Sequence, residues 1–360
     1  MSYNLSTLIS CPTVQTQLNE FTDKGANPME PAPELMFLTS QVNTKRVLEQ
    51  RVVDDGGTKI KTVQVVYTPR LLESSTSTTL TTDCDAGNSA GHLSTNYTID
   101  PSVGVYSKET INIADLATIC QRNEDYFAQR VMAQIDVARR KMQSTIATQM
   151  SVLGGWFPQD NGEDASMMTG NSLKTVKTKY TASIDGGKWN PEALQEITFS
   201  AMNAGFTGTP YLFGFGELWR YWNYLKALGN TSDGGLDFAS YVGQNQAAFL
   251  ASQKMHTALN GSNATNKFLA VDAGALFLLQ YNKYKDRLIT NLDDALVMDV
   301  IVDPVTGVEF NYKVVKACTE TITIIVSTAF KVVGLPSDMY QASDRLKNTN
   351  GVLQFAISNS

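Results

Sequence analysis

The chain contains only two histidines, His92 and His256, so any imidazole-based acid, base or metal chemistry must use one of them. His92 lies in the Ser/Thr/Gly-rich stretch AGNSAGHLSTNY and His256 in the helical stretch FLASQKMHTAL. No GxSxG elbow accompanies either, so a Ser-His-Asp arrangement has no sequence support. A Walker loop, an HExxH pair and a strand–GxGxxG–helix unit are also missing, and Gly214-Phe-Gly216 lacks the third glycine of a dinucleotide loop. The densest acidic group is Asp293-Asp294 with Asp299 and Asp303. It has neither the central glycine nor the terminal glutamate of an EF-hand, and Asp303-Pro304 reads as the opening of a turn. A carboxylate pair for glycoside hydrolysis is a spatial arrangement, and no spacing here supports one. Cys11, Cys84, Cys120 and Cys318 have no CxxC spacing and read as free thiols rather than as a disulfide framework or a zinc site. No catalytic, cofactor-binding or metal-binding residue is assigned.

Composition narrows the classes further. The chain has 360 residues, of which 42% are hydrophobic and 18% charged, which is ample for a buried core. Its net charge of -6 argues against a nucleic-acid binder held by excess Lys and Arg. No apolar run approaches the ~18 residues that span a membrane. MSYNLSTLISCPTVQTQ lacks the basic and apolar regions of a signal peptide, so a reducing cytoplasm is expected and the Asn96 and Asn263 glycosylation patterns read as chance.

Residues 1–35 carry Pro12, Pro28, Pro31 and Pro33 and read as an extended arm with a short helix near Leu18. KRVLEQRVV and TKIKTVQVVY flank Asp54-Asp55-Gly56-Gly57, which predicts a long hairpin over 45–67. Residues 71–107 contain no Lys or Arg, and 14 of them are Ser or Thr. That stretch cannot build a core of its own, although Tyr97, Ile99, Val103, Val105 and Tyr106 predict renewed strand pairing. On this reading, deleting 45–107 leaves a folded subunit that fails to assemble.

The strongest helical signal runs over 113–151. Leu116, Ile119, Phe127, Val131, Ile135, Ala138, Met142, Ile146 and Met150 recur at spacings of mostly three and four. About 36 residues would reach about 54 Å unless the helix breaks near Arg122-Asn123. Asp136 and Arg140 predict an i,i+4 pair, and the cluster Arg139-Arg140-Lys141 reads as a solvated face rather than a DNA contact. A hairpin is expected in TVKTKYTASIDGG. Helices are expected in PEALQEITFSAMNAG, ELWRYWNYLKALG, YVGQNQAAFLASQKMHTAL and AGALFLLQYNKY, with strands at PYLFGF and FLAVD. The aromatics from Tyr211 to Tyr224 read as core and interface, because only Arg220 and Lys226 interleave them with charge. Beyond residue 296, LVMDVIVD, GVEFNYKVV, TITIIVSTAFKVVG and a segment near Val352–Ile357 read as strands.

This order of elements resembles the major capsid protein of tailed double-stranded DNA bacteriophages, the Hong Kong 97 fold. The resemblance is carried by DLATICQRNEDYFAQRVMAQIDVARRKMQSTIATQM as a spine helix, and by KFLAVDAGALFLLQYNKYK with GVEFNYKVVKAC. It implies an α+β chain with an N-terminal arm over 1–38 and an extended loop over 39–112. A peripheral domain with the spine helix would span 113–190, an axial α/β domain 191–296, and return strands of the peripheral domain 297–360. It implies a non-enzymatic structural protein that forms pentamers and hexamers closing into an icosahedral shell around DNA. Its implied partners are itself, a separate scaffolding protein, a portal, decoration proteins and packaged DNA, in a virion assembled in the host cytoplasm. The Lys–Asn cross-linking of some family members is not carried over to Lys59 or Lys61. The competing readings are a tail tube or sheath subunit, and a hydrolase with an unrecognised carboxylate site.

Overall fold

A computed structural model describes residues 10–23, 32–40, 47–53, 61–67, 93–100, 102–112, 123–154, 174–177, 179–182, 186–190, 192–203, 206, 208–228, 247–261, 266–284, 295–318, 321–334 and 351–358. In chain order the elements begin with helices α1 (Cys11–Asp23) and α2 (Pro33–Thr39) and strands β1 (Val47–Val53), β2 (Lys61–Tyr67), β3 (Leu93–Ile99) and β4 (Gly104–Asn112). Helix α3 (Asn123–Val152) precedes β5 (Lys174–Lys177), β6 (Lys179–Ala182), β7 (Gly186–Trp189) and α4 (Ala193–Asn203). Then come β8 (Tyr211–Gly214), α5 (Glu217–Leu228), β9 (Ala248–Ala251), α6 (Gln253–Asn260), β10 (Asn266–Val271) and β11 (Leu276–Tyr281). The remaining strands are β12 (Ala295–Val302), β13 (Glu309–Cys318), β14 (Thr321–Gly334) and β15 (Val352–Ser358). The architecture is α+β.

Helix α3 has 30 residues and is about 45 Å long. Phe127, Val131, Ile135, Ala138, Met142, Ile146 and Met150 form one fully buried stripe, as an apolar period near 3.6 requires. The stripe packs on α1, α2, α6, β4 and β14. Strand β14 is the axis of the first sheet: it pairs antiparallel with β13, β4 and β11, and β13 continues to β12. Gly104 is needed in β4 because a Cβ there would lie 2.2 Å from the Thr328 carbonyl oxygen.

The second sheet has the order β5-β15-β10-β8-β9 and mixes parallel and antiparallel pairs. Alternation along its strands divides the core in two. Phe213, Leu269, Val271 and Val352 face the spine-helix core, while Leu212, Phe268, Ala270, Leu353 and Phe355 face α4 and α5. Phe268 and Phe355, register partners, stack with centroids 5.1 Å apart.

Several expectations change. The described part of the spine helix is Asn123–Val152, and the expected part at 113–122 lies outside the described residues. Residues 11–23 and 33–39 are helices of the subunit's own core, because Cys11, Val14, Leu18, Leu35, Phe37 and Leu38 bury against it rather than await a neighbour. Pro33 opens α2 at a first-turn position where its missing N–H costs nothing. The hairpin β1–β2 forms, but β3 joins it as a third strand. Val63, Val65 and Ile99 enter the main core and Tyr97 meets Phe277 edge-on at 6.0 Å. The ribbon is therefore anchored, and deletion of 45–107, which also removes the start of β4, would open the core.

The helix expected over AGALFLLQYNKY is instead β11, a six-residue apolar run following Gly274 at φ 75°. Part of YVGQNQAAFLASQKMHTAL is β9, with helix α6 starting only after Ser252. In the TVKTKYTASIDGG segment, β6 pairs with β7 while β5 leaves to run parallel to β15. The boundary at residue 296 is crossed both ways: β11 pairs with β14, and β15 pairs with β10 rather than with the return strands. Strand β4, within the expected loop 39–112, is likewise a sheet strand on β14.

Candidate assembly surfaces

Among the described residues with catalytic potential, His256 and Asp303 sit in packing contacts. His256 lies on α6, its Nδ1 3.1 Å from the Asn260 amide nitrogen, and burial lowers its pKa. Asn260 also accepts from the Lys267 N–H at 2.7 Å, so this group ties α6 to β10. His92 lies outside the described residues. Gly214 and Gly216 do flank a strand–turn–helix junction, but no cradle is open. A Cβ on Gly214 would meet Phe268 at 2.9 Å, and one on Gly216, which sits at φ 66°, would meet the His256 ring at 3.1 Å.

The two described members of the acidic group sit in unlike surroundings. Asp293 and Asp294 lie outside the described residues, and Asp299 is exposed on β12. Asp303 is fully buried, accepting from Thr306 Oγ1 at 2.6 Å and from the Val305 N–H at 3.1 Å. Among the described residues no three of His, Cys, Asp and Glu come together as metal ligands. Cys11 is a buried free thiol that donates to the Val300 carbonyl at 3.2 Å. Burial, reinforced by Asp299, pushes its pKa up to about 12. Cys84, Cys120 and Lys59 lie outside the described residues, as does the Cys318 side chain, and Lys61 is on β2.

The basic cluster on the spine helix splits. Arg139 is 1% exposed, bonding Asp136 at 2.7 Å and lying 3.9 Å from Asp303, so it points inward where a solvated face was expected. Arg140 faces out and makes the expected pair with Asp136 at 3.0 Å. A second buried polar group joins three helices. The Glu34 carboxylate on α2 accepts from Gln143 Nε2 on α3 at 2.8 Å and from the hydroxyl of Ser252, the N-cap of α6.

Most of the aromatic run is core. Phe213 and Tyr221 are fully buried, and the Tyr221 hydroxyl accepts from the Leu194 N–H at 3.1 Å. Trp219 is the exception: it stands out beside Phe215, ring centroids 5.8 Å apart.

Large apolar side chains are exposed on separate parts of the subunit. Phe199 and Met202, 63% and 69% exposed, lie one turn apart on α4. Val137 and Val152 stand out from the spine helix. Val103 and Tyr106 stand out at the start of β4, and Tyr106 lines a cleft of about 240 Å³ with Tyr281, Lys283 and Tyr284. Phe199 and Met202 are legible in the sequence only as apolar residues off the stripe Ala193, Leu194, Ile197, Ala201 that α4 buries.

Among the described residues no helix is long and apolar enough to cross a membrane. No protein-family profile and no curated protein sequence matches the chain. Among solved structures it is similar to the virus-like particle from Pyrococcus furiosus, at 11% identity and a TM-score of 0.42 over 96% of this chain and 98% of that one. It is also similar to the capsid of Myoviridae phage XM1, at 9% identity and a TM-score of 0.41 over 85% and 89% of the two chains. A third similarity is to the capsid of cyanophage P-SCSP1u, at 11% identity and a TM-score of 0.40 over 86% of each. These likenesses are loose, and the chain's role has to be read from its own surfaces.

Proposed function

We propose that the chain is a non-enzymatic shell-forming protein, the major capsid subunit of a tailed bacteriophage. On this reading it assembles into pentamers and hexamers of an icosahedral shell around double-stranded DNA, in a virion built in the host cytoplasm. The observation that carries this reading is the placement of exposed Phe199, Met202, Trp219, Val103, Tyr106, Val137 and Val152 on several different elements. Single exposed apolar residues are ordinary on monomers. An i,i+3 pair of Phe and Met on one helix, repeated by apolar exposure elsewhere, fits a subunit covered by several neighbours. Contacts on unlike faces are heterologous, and they close into rings where the rotation between neighbours closes and run into open helical arrays where it does not. The architecture fits too: a rigid spine helix braces one sheet, a separate α/β layer extends from it, and a three-stranded ribbon is attached at β11 and β14. The partners expected with such a shell are a separate scaffolding protein, a portal, decoration proteins and DNA bound without sequence specificity.

Electron microscopy of the purified protein, with mass photometry of the same sample, tests the proposal. Closed particles of megadalton mass are expected. Open tubes would select the tail-tube or sheath reading. A monomer at all concentrations that hydrolyses a substrate would select the enzyme.

A further inference from the structure

Helices α4 and α5 lie on the same face of the second sheet, and each carries an exposed stripe. That of α4, with Glu192 just before its first residue, is Glu192, Gln195, Glu196, Phe199 and Met202: acidic at the N-terminal end and apolar at the C-terminal end. That of α5 is Trp219, Arg220, Lys226 and Ala227, with Asn223 half-buried between them: Trp219 stands at the N-terminal end beside Arg220, which Glu217 holds in an ion pair at 2.7 Å, and Lys226 stands at the C-terminal end. Arg220 apart, which pairs with Glu217, the charges suit each helix's own macrodipole, which favours acids at the start and cations at the end. That explanation leaves Phe199, Met202 and Trp219 unaccounted for.

The two stripes complement each other if the helices run antiparallel. On α4 the midpoint of Glu192 and Glu196 is about 10 Å from that of Phe199 and Met202, at 1.5 Å per residue. On α5 Trp219 and Lys226 are also about 10 Å apart. Antiparallel docking therefore sets Trp219 on Phe199 and Met202 while Lys226 meets Glu192 and Glu196. Within one subunit the outward stripes of neighbouring helices on one layer cannot face each other, so the partner has to be a second molecule.

We propose that the α4 stripe of one subunit docks antiparallel on the α5 stripe of a second copy of this chain. This contact is a residue-level addition to the shell reading and does not require it. A single helix pair is smaller than a stable dimer interface needs, so it acts as one of several contacts and sets orientation more than affinity.

The test mixes full-length Met202→Cys and Trp219→Cys subunits before assembly, then oxidises mildly and runs non-reducing gels. A disulfide-linked dimer in the mixture, above the level of either variant alone, is expected. Equal cross-linking by Met202→Cys alone would overturn the proposal in favour of an α4–α4 contact. In parallel, Glu192→Lys with Glu196→Lys should raise the concentration for half-assembly about tenfold, and adding Lys226→Glu should restore a clear part of it. No rescue would overturn it. Unchanged melting of the dissociated subunits checks that these exposed substitutions leave the fold intact. Particles that form without the cross-link refute the contact and leave the shell standing. A cross-linked small oligomer without particles does the reverse, and a monomer at all concentrations refutes both.

Discussion

Replacing Arg139 by methionine should destabilise the subunit far more than the same change one residue later. Arg139 is 1% exposed and Asp303, its neighbour across the core at 3.9 Å, is fully buried. Removing the guanidinium keeps the apolar volume but leaves a buried carboxylate with only the Thr306 hydroxyl and the Val305 N–H to hold it. Breaking a buried pair by removing one partner costs about 3–5 kcal/mol. With an unfolding entropy of ~2.1 cal/mol/K per residue over 360 residues, a loss of about 4 kcal/mol lowers Tm by about 5 °C. Arg140→Met removes a half-exposed ion pair and should cost less than about 1 kcal/mol. Urea unfolding of dissociated subunits measures both. Asp303→Asn in the Arg139→Met background should recover part of the loss, because it removes the uncompensated charge. Equal costs for the two arginines, or no recovery, would refute the account of Arg139 as an inward-facing strut.

Cys11 should resist alkylation at pH 8 in the folded subunit and react once urea exposes it, since its pKa is pushed up to about 12. The same shift means that stability is kept below the ordinary thiol pKa and lost as pH rises above about 9, which urea midpoints at pH 8 and 10 would show. For His256 the sign reverses: burial lowers its folded pKa, so stability is full above about 6.5 and falls as pH drops below it. His256→Gln should flatten the decline between pH 7.5 and 5.5. Gly104→Ala should cost about 1–3 kcal/mol by forcing β4 away from β14, seen as a lower urea midpoint with the far-ultraviolet spectrum retained. Ser252→Ala removes both the N-cap of α6 and a donor to Glu34, and should cost about 2 kcal/mol.

Elements with a long or regular period were legible in the sequence. The spine helix shows its stripe from Phe127 to Met150, and the strand GVEFNYKVV alternates as β13 does. Short apolar runs were not. LFLLQY suits a buried helix turn or a buried strand equally, and only its pairing with β14 decides for strand. The inward turn of Arg139 was hidden because three consecutive basic residues look alike until the partner, Asp303, arrives from far along the chain. The proline-rich start reads as an extended arm because proline breaks helix interiors, yet at a first-turn position Pro33 opens one. At the candidate assembly surface the helices were foreseen, but the face each turns outward follows from the sheet beneath it.

Strand β15 sits between β5 and β10, parallel to one and antiparallel to the other. It also contributes Val352 to the spine-helix core and Leu353, Phe355 and Ile357 to the core beneath α4 and α5. During synthesis the α/β layer therefore waits open, with two strand edges unpaired, until residues 352–358 have left the ribosome. A chain broken off before them would carry every other element of the layer yet could not close the sheet. The sheet beneath α4 and α5 thus depends on a strand that arrives about 80 residues after its neighbour β10, whatever the rest of the layer has already formed.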